Sequence, residues 1–212
     1  MELTIVQKIA VYALPVLFAI TVHEAAHGYV AKHFGDLTAE KQGRITLNPL
    51  KHIDPIGTIL LPILTMMLGG ILFGWAKPVP VNFANLRNPK KDMLWVAAAG
   101  PISNFFMAIF WVMMFNFSNY APNTAVNFLA IMSMAGISIN IVLMVLNLLP
   151  MPPLDGGRIA VSLLPMPWAM KLARVERYGF PILIVLMFTG VLGYVIYPII
   201  QMIEQLLYRM VM

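Results

Sequence analysis

Long apolar runs alternate with short polar connections along this chain. Four of the runs predict helices, at about residues 5–34, 93–117, 125–149 and 180–207. The second and third each hold about 25 residues, or roughly 37 Å as helix, which is ample for a bilayer core. A fifth run, residues 56–75, is broken by Pro62, Gly69 and Gly70. The pattern predicts an all-α polytopic membrane protein, built as a multi-helix transmembrane bundle.

The polar connections predict short local structure between these runs. Residues 40–48 suit a short β-hairpin, and the alternate prolines Pro78 and Pro80 suit an extended segment with one unpaired edge. The proline-rich run 150–153 ends the helix before it, and a short helix is expected to follow, to about residue 164. We therefore expect re-entrant or hairpin segments between the first and middle core helices.

Composition excludes several classes of protein. Hydrophobic residues make up 60% of the 212 residues and charged residues 11%, with a mean hydropathy of +0.80, which is more apolar surface than a soluble core of this length can bury. The net charge of +5 comes from Lys and Arg in short stretches between apolar runs, where they act as topology signals, so no nucleic-acid partner is implied. Cysteine is absent, so a metal site would use His and carboxylate ligands.

We expect one transmembrane domain over residues 1–212, with a core at about 9–165 and a C-terminal helical segment at about 166–212. The N-terminus lacks a basic stretch and a small-residue cleavage site, so we interpret it as mature protein.

The distribution of charge predicts the topology. The connection 118–124 carries no charge, whereas 32–51, 77–91 and 158–177 are rich in Lys and Arg. By the positive-inside rule, the first faces outward and the other three face the cytoplasm of a cell-membrane protein. Residues 56–75 have basic flanks on both sides, which favours a re-entrant segment over a single crossing.

Residues His23, Glu24, Ala25, Ala26 and His27 write H-E-x-x-H inside the first apolar run. On a helix, positions i and i+4 share one face, so both imidazoles can hold one Zn²⁺ while Glu24 serves as a catalytic base. Catalytic zinc takes three protein ligands, and Asp155 is the best third candidate because it follows a proline run and precedes two glycines. The motif predicts a hydrolytic metal site near the cytoplasmic side of the membrane.

Three separated motifs resemble the site-2 proteases, the intramembrane zinc metalloproteases of peptidase family M50. They are the H-E-x-x-H at 23–27, the N-x-x-P…L-D-G at 147–156, and Gly100-Pro101-Ile102-Ser103-Asn104, which is similar to the family's small-residue motif. The resemblance implies one zinc ion per chain on His23, His27 and Asp155, Glu24 as catalytic acid/base, and Asn147 near the substrate carbonyl. We expect a short form without a PDZ domain, so the resemblance carries over the catalytic residues and not the mode of substrate recognition.

The resemblance implies regulated intramembrane proteolysis of a membrane-protein substrate that has a transmembrane helix, within the lipid bilayer. An unwound substrate needs backbone partners, which an edge at 44–48 or 79–82 could supply by strand addition. The alternative is a zinc-binding transporter or scaffold without proteolysis, which would not require Glu24. Asn104 is interpreted equally well as a hydrogen-bond donor to the developing oxyanion and as a packing residue between helices. His33 and His52 are interpreted as interfacial residues rather than ligands. The oligomeric state is left open.

Overall fold

A computed structural model describes residues 4–60, 76–118, 120 and 123–209 of the chain. Its seven α-helices within these ranges are α1 (Ile5–His33), α2 (Thr38–Lys41), α3 (Pro89–Ser118), α4 (Asn123–Asn147), α5 (Asp155–Leu163), α6 (Met166–Phe188) and α7 (Val191–Arg209). Short 3₁₀ turns cover Pro49–Lys51 and Phe83–Asn85, and a π-helical turn covers Pro55–Leu60. The all-α prediction is confirmed for this part of the chain, which contains no strand.

Four helices in the described ranges are long and apolar enough to cross a membrane. They comprise 10–33 of α1, all of α3, 128–147 of α4, and α7. Helix α1 begins at a capping box in which Thr4 and Gln7 bond each other's backbone N–H groups, and it ends before Gly35, whose φ of 108° few other residues adopt. The chain is therefore described as a multi-pass membrane protein.

The main core forms where α3, α4 and α7 meet. Its buried side chains are Ala108, Trp111, Val112, Ile137, Ile141, Met144, Val145, Ile200 and Leu207. A Cβ atom on Gly136 of α4 would lie 2.3 Å from Cδ2 of Trp111, so only glycine admits the indole there. Small residues promote such close approach because helices in lipid associate by packing rather than by the hydrophobic effect.

The short segments predicted between the first and middle core helices are a hairpin at 40–48 and a re-entrant segment at 56–75. The hairpin at 40–48 is wrong: Thr38–Lys41 is helical, and turns and bends follow. Its backbone is satisfied locally, for example by Arg44 N–H donating to the carbonyl of Ala39, 2.9 Å away, so no partner strand is needed. The predicted re-entrant turn at Gly69 and Gly70 lies outside the described residues.

The C-terminal run is two helices rather than one. Helix α6 ends at Phe188 and α7 begins at Val191, with Gly190 between them at a φ of 76°. That left-handed conformation ends a helix and is one that glycine adopts readily. The predicted short helix after the proline run is confirmed as α5.

Candidate metal centre

Helix α1 places His23 and His27 on the same face, one turn apart. Their Nε2 atoms lie 3.1 Å from each other, and their rings meet edge to face with centroids 4.7 Å apart. His23 is ten residues before the C-terminal end of α1, or about 15 Å along the axis. The pair therefore lies within the candidate membrane span, toward its C-terminal side.

Asp155 reaches the two histidines from the first residue of α5. Its Oδ2 atom lies 3.2 Å from Nε2 of His23 and 3.3 Å from Nε2 of His27. Gly156 and Gly157 make this approach possible, because a Cβ on the first would lie 2.3 Å from the carbonyl oxygens of residues 148 and 149, and one on the second 2.2 Å from the nitrogen of residue 152. The start of α5 therefore packs directly against the end of α4 and the proline-rich loop.

The other nitrogen of each ring decides the chemistry of this cluster. Nδ1 of His23 lies 2.5 Å from Oδ1 of Asn104, and Nδ1 of His27 lies 2.7 Å from the carbonyl oxygen of Val96. An oxygen acceptor requires the proton on Nδ1, so each neutral ring carries a lone pair on Nε2. Three lone-pair atoms thus converge without a proton to share, and Oδ2 of Asp155 has no hydrogen-bond donor in the described structure. A bound cation would accept all three lone pairs and so balance their mutual repulsion.

The spacing of these three atoms fits zinc. Zinc–nitrogen and zinc–oxygen bonds of about 2.0–2.1 Å in a tetrahedron place neighbouring ligand atoms roughly 3.3–3.4 Å apart. The three observed separations are 3.1, 3.2 and 3.3 Å. His23, His27 and Asp155 form the one such group found in the part of the chain that the structure describes. Three ligands leave a fourth position open, as in catalytic zinc sites.

Gly100 of α3 forms the floor of the site. A Cβ atom there would lie 2.5 Å from Nε2 of both His23 and His27. The small-residue motif at 100–104 therefore has two roles at the site, since Gly100 leaves room at the ligand atoms and Asn104 accepts a hydrogen bond from the ring of His23.

The three candidate ligands are largely buried, and each keeps a small exposed fraction. The side chains of His23, His27 and Asp155 are 9%, 12% and 14% exposed. Burial by itself would raise the pKa of the Asp155 carboxyl, but the His27 and His23 rings, when protonated in the metal-free site, attract and hydrogen-bond the charged carboxylate and lower that pKa below its ordinary value. The carboxylate form, which a metal requires, is therefore the favoured one.

Glu24 is held by the extended segment 77–82. The backbone N–H of Val79 donates to Oε2 of Glu24 over 2.6 Å. The buried guanidinium of Arg44 donates to the carbonyl oxygens of Lys77 and Pro78, at 2.9 and 3.2 Å. Segment 77–82 therefore lies against the H-E-x-x-H helix, and the hydrogen bonds from Arg44 fix the two residues that precede Val79.

Asp36, just after α1, holds the far end of the same segment. Its carboxylate accepts from the backbone N–H of Asn82 at 2.7 Å, the side-chain amide of Asn85 at 3.1 Å, and both the N–H and hydroxyl of Thr38. Burial alone would raise the pKa of Asp36, but these donors outweigh it and lower the pKa below its ordinary value. Asp36 is fully buried and acts as a clamp between segment 77–82 and α1.

Comparison with known proteins places these residues in a family. The profile of Peptidase family M50 matches residues 112–190, which include Asn147 and Asp155. The protein named "Putative zinc metalloprotease YwhC" from Bacillus subtilis is 40% identical over 192 residues, covering 89% of this chain and 84% of the relative. "Putative zinc metalloprotease Rip2" from Mycolicibacterium smegmatis is 34% identical over 179 residues, covering 84% of this chain and 66% of the relative. No solved structure matches this chain.

The chain belongs to Peptidase family M50. The family resemblance inferred from the three motifs is thus confirmed. In this M50 chain the structure brings together His23, His27 and Asp155, with Glu24 beside them on α1.

Asn147, another predicted site residue of this M50 chain, makes its side-chain hydrogen bond within its own helix. It is the last residue of α4, and its side-chain amide donates to the carbonyl of Leu143 in its own helix, at 3.0 Å. This bond uses one of the two N–H donors of the amide, and the role of Asn147 near the substrate carbonyl stays a prediction. The ring of His33 packs against Phe34, and Nε2 of His52 bonds the carbonyl oxygen of Thr46.

Several functional contacts of the M50 site carried no sequence signal. The carbonyl of Val96 and the N–H of Val79 are backbone groups; any residue supplies such a carbonyl, and any residue except proline supplies such an N–H. Asn104 and Asn140 do carry one, because a buried amide in an apolar helix must be bonded to something. Their partners were visible only once α1, α3 and α4 were packed together.

Proposed function

We propose that this protein is an intramembrane zinc metalloprotease that hydrolyses peptide bonds within transmembrane segments. His23, His27 and Asp155 would hold one zinc ion, and Glu24 is the catalytic acid/base. The observation that carries the proposal is the convergence of three lone-pair atoms within 3.3 Å of one another, two of them on a membrane-length helix. Ionisable groups at such a depth are costly and mark functional sites.

The chain's own residues divide the chemistry among them. Zinc, when bound, supplies Lewis-acid polarisation and electrostatic stabilisation of developing negative charge. Glu24 accepts a proton from the attacking water and passes it to the leaving amine, as a general base and then a general acid. Val79 N–H fixes one oxygen of the Glu24 carboxylate and leaves the other for proton transfer. Gly100 keeps the ligand atoms accessible to a substrate carbonyl.

The substrate in this proposal is a membrane protein whose transmembrane helix unwinds at the site of cleavage. Unwound backbone in lipid needs hydrogen-bond partners, and segment 77–82 is the adjacent extended chain. The N–H groups of Lys77, Val79 and Asn82 already donate to His52, Glu24 and Asp36 respectively. The N–H and carbonyl of Val81 have no partner in the described residues, so strand addition would begin there.

We place the active site toward the cytoplasmic side of the membrane. Helix α1 ends near the basic stretch 32–51, and Asp155 follows α4, whose other end adjoins the uncharged connection 118–124. Both ligand-bearing ends then lie on the basic side, which the positive-inside rule assigns to the cytoplasm. Fusing a topology reporter after Ser118 and another after Arg209 tests the orientation of the bundle.

The discriminating experiment is Glu24→Gln in the purified full-length protein. We expect it to retain one zinc per chain, because Glu24 is not among the three ligands, and to lose cleavage of a transmembrane substrate in liposomes. Asp155→Ala, which removes a ligand, should lose both zinc and cleavage. Zinc is measured by atomic absorption, and cleavage by gel analysis of a labelled substrate.

Two results would count against a protease. If Glu24→Gln cleaves as fast as wild type, Glu24 is not the acid/base. If wild type carrying one zinc per chain cleaves no transmembrane segment while Asp155→Ala loses the metal, the site binds zinc without hydrolysing peptides, as a transporter or scaffold would.

A further inference from the structure

A chain of buried hydrogen bonds runs from His23 through two amides to the backbone of α4. Oδ1 of Asn104 accepts from Nδ1 of His23 at 2.5 Å, and Nδ2 of Asn104 donates to Oδ1 of Asn140 at 3.0 Å. Nδ2 of Asn140 then donates to the carbonyl of Gly136 at 2.8 Å. Both asparagines are fully buried, so water does not compete for any of these bonds.

The direction of the chain is fixed at its far end. A backbone carbonyl can only accept, so Asn140 must turn its NH₂ group toward Gly136 and its oxygen toward Asn104. Asn104 must then turn its NH₂ toward Asn140, where it also faces the carbonyl of Ala19 at 3.4 Å, and its oxygen toward His23. If the Asn104 amide were reversed, its NH₂ would face Nδ1, and a neutral ring would carry its proton on Nε2.

We infer that Asn140 and Asn104 are positioning residues that set the tautomer of His23, keeping its Nε2 lone pair directed at the metal position. This inference rests on the proposed zinc site. In the described structure Asn140 makes no hydrogen bond to a ligand atom, and it reaches His23 through Asn104. Partners of metal-binding histidines typically change metal affinity 10–100-fold when removed, and Asn140 extends that control to α4.

The competing explanation is that the two amides merely join α3 to α4. Interhelical asparagines do stabilise membrane helix pairs, with no effect on a ligand's tautomer. The two explanations differ in what replaces Asn140 successfully. If the amides only join the helices, an apolar side chain that packs well can replace Asn140. If the hydrogen-bond chain acts as a relay to His23, what matters is that Asn104 presents an acceptor to Nδ1.

The test compares zinc affinity among variants of the purified full-length protein, by competition with a chromophoric chelator. We expect Asn140→Leu, which has similar volume but no acceptor for Asn104, to weaken zinc binding about 10-fold. Adding Asn104→Asp to it should restore affinity to within about 3-fold of wild type, because a carboxylate accepts from His23 whichever way it turns. Ser133→Ala is the control, since Ser133 is equally buried on α4.

A second measurement reads the tautomer without zinc. The chain has four histidines, so ¹⁵N-histidine labelling gives few NMR signals, and His23 is assigned by its loss in His23→Gln. At pH 8 the metal-free wild type should show a protonated Nδ1 and an unprotonated Nε2 on His23, and Asn140→Leu a mixture. Asn140→Asp, an acceptor toward Asn104, should keep the wild-type signal and serves if the leucine variant does not fold.

Three outcomes for Asn140→Leu would overturn the inference. They are zinc affinity in Asn140→Leu within about 2-fold of Ser133→Ala, failure of Asn104→Asp to restore affinity to folded Asn140→Leu, and an unchanged His23 tautomer in folded Asn140→Leu. A mixed tautomer in Asn140→Asp would also contradict it. None of these outcomes bears on whether Glu24 catalyses proteolysis, so the relay and the proposed function fail separately.

Discussion

Replacing Gly100 by alanine should disable the metal site with little effect on the fold. The added Cβ would lie 2.5 Å from Nε2 of His23 and of His27, whereas ordinary contact begins at 3.4 Å, so about 0.9 Å of displacement is required. Metal sites tolerate ligand shifts of about 0.2 Å, and a misplacement of about 1 Å costs roughly 100-fold in rate. We expect Gly100→Ala to lower cleavage by about 100-fold or more and to weaken zinc binding measurably.

The assay pairs chelator competition with cleavage of a transmembrane substrate in liposomes, and thermal unfolding followed by circular dichroism. The matched control is Gly193→Ala in α7, where an added Cβ meets nothing within 4 Å. Alanine is favoured over glycine in a helix interior by about 1 kcal/mol, so neither variant loses stability through propensity. Full zinc affinity and cleavage in Gly100→Ala would refute the geometry. A clearly lower melting temperature in Gly100→Ala than in Gly193→Ala would refute the claim that only the site is affected.

Two further perturbations act at a distance from the metal. Gly179→Ala would place a Cβ 1.9 Å from the carbonyl oxygen of Pro152, in the loop that carries Asp155, so α6 must move away. We expect a loss of about 1–3 kcal/mol of stability together with weaker zinc binding; unchanged melting and zinc affinity would contradict the packing. The folded-state pKa of Asp36 is depressed, so its contribution to stability is present above the unfolded value of 3.8 and is lost as pH falls through the folded value. The melting temperature of wild type should therefore exceed that of Asp36→Asn most at neutral pH, and the difference should shrink below about pH 4; a difference independent of pH would exclude the clamp.

The sequence predicted which candidate ligands lie close together, because helical periodicity fixes which residues lie one turn apart. His23 and His27 follow directly from a spacing of four on α1, and Asp155 from a break in the helical pattern. The hairpin predicted at 40–48 is wrong because strands need a paired partner, whereas the backbone hydrogen bonds of this segment are local. Periodicity reports the faces of one element, whereas partners such as Asn140 for Asn104 depend on how three helices pack.

The bond between Val79 and Glu24 changes what an extended segment beside the site can do. The sequence predicts an edge for a substrate strand at 44–48 or 79–82, yet the N–H of Val79 already donates to the Glu24 carboxylate. A substrate strand that used this N–H would take from Glu24 a hydrogen bond worth about 1.5–3 kcal/mol to a charged group. Because that N–H is one of the contacts that position the Glu24 carboxylate, occupation of the edge at Val79 and the position of Glu24 are linked through one backbone N–H.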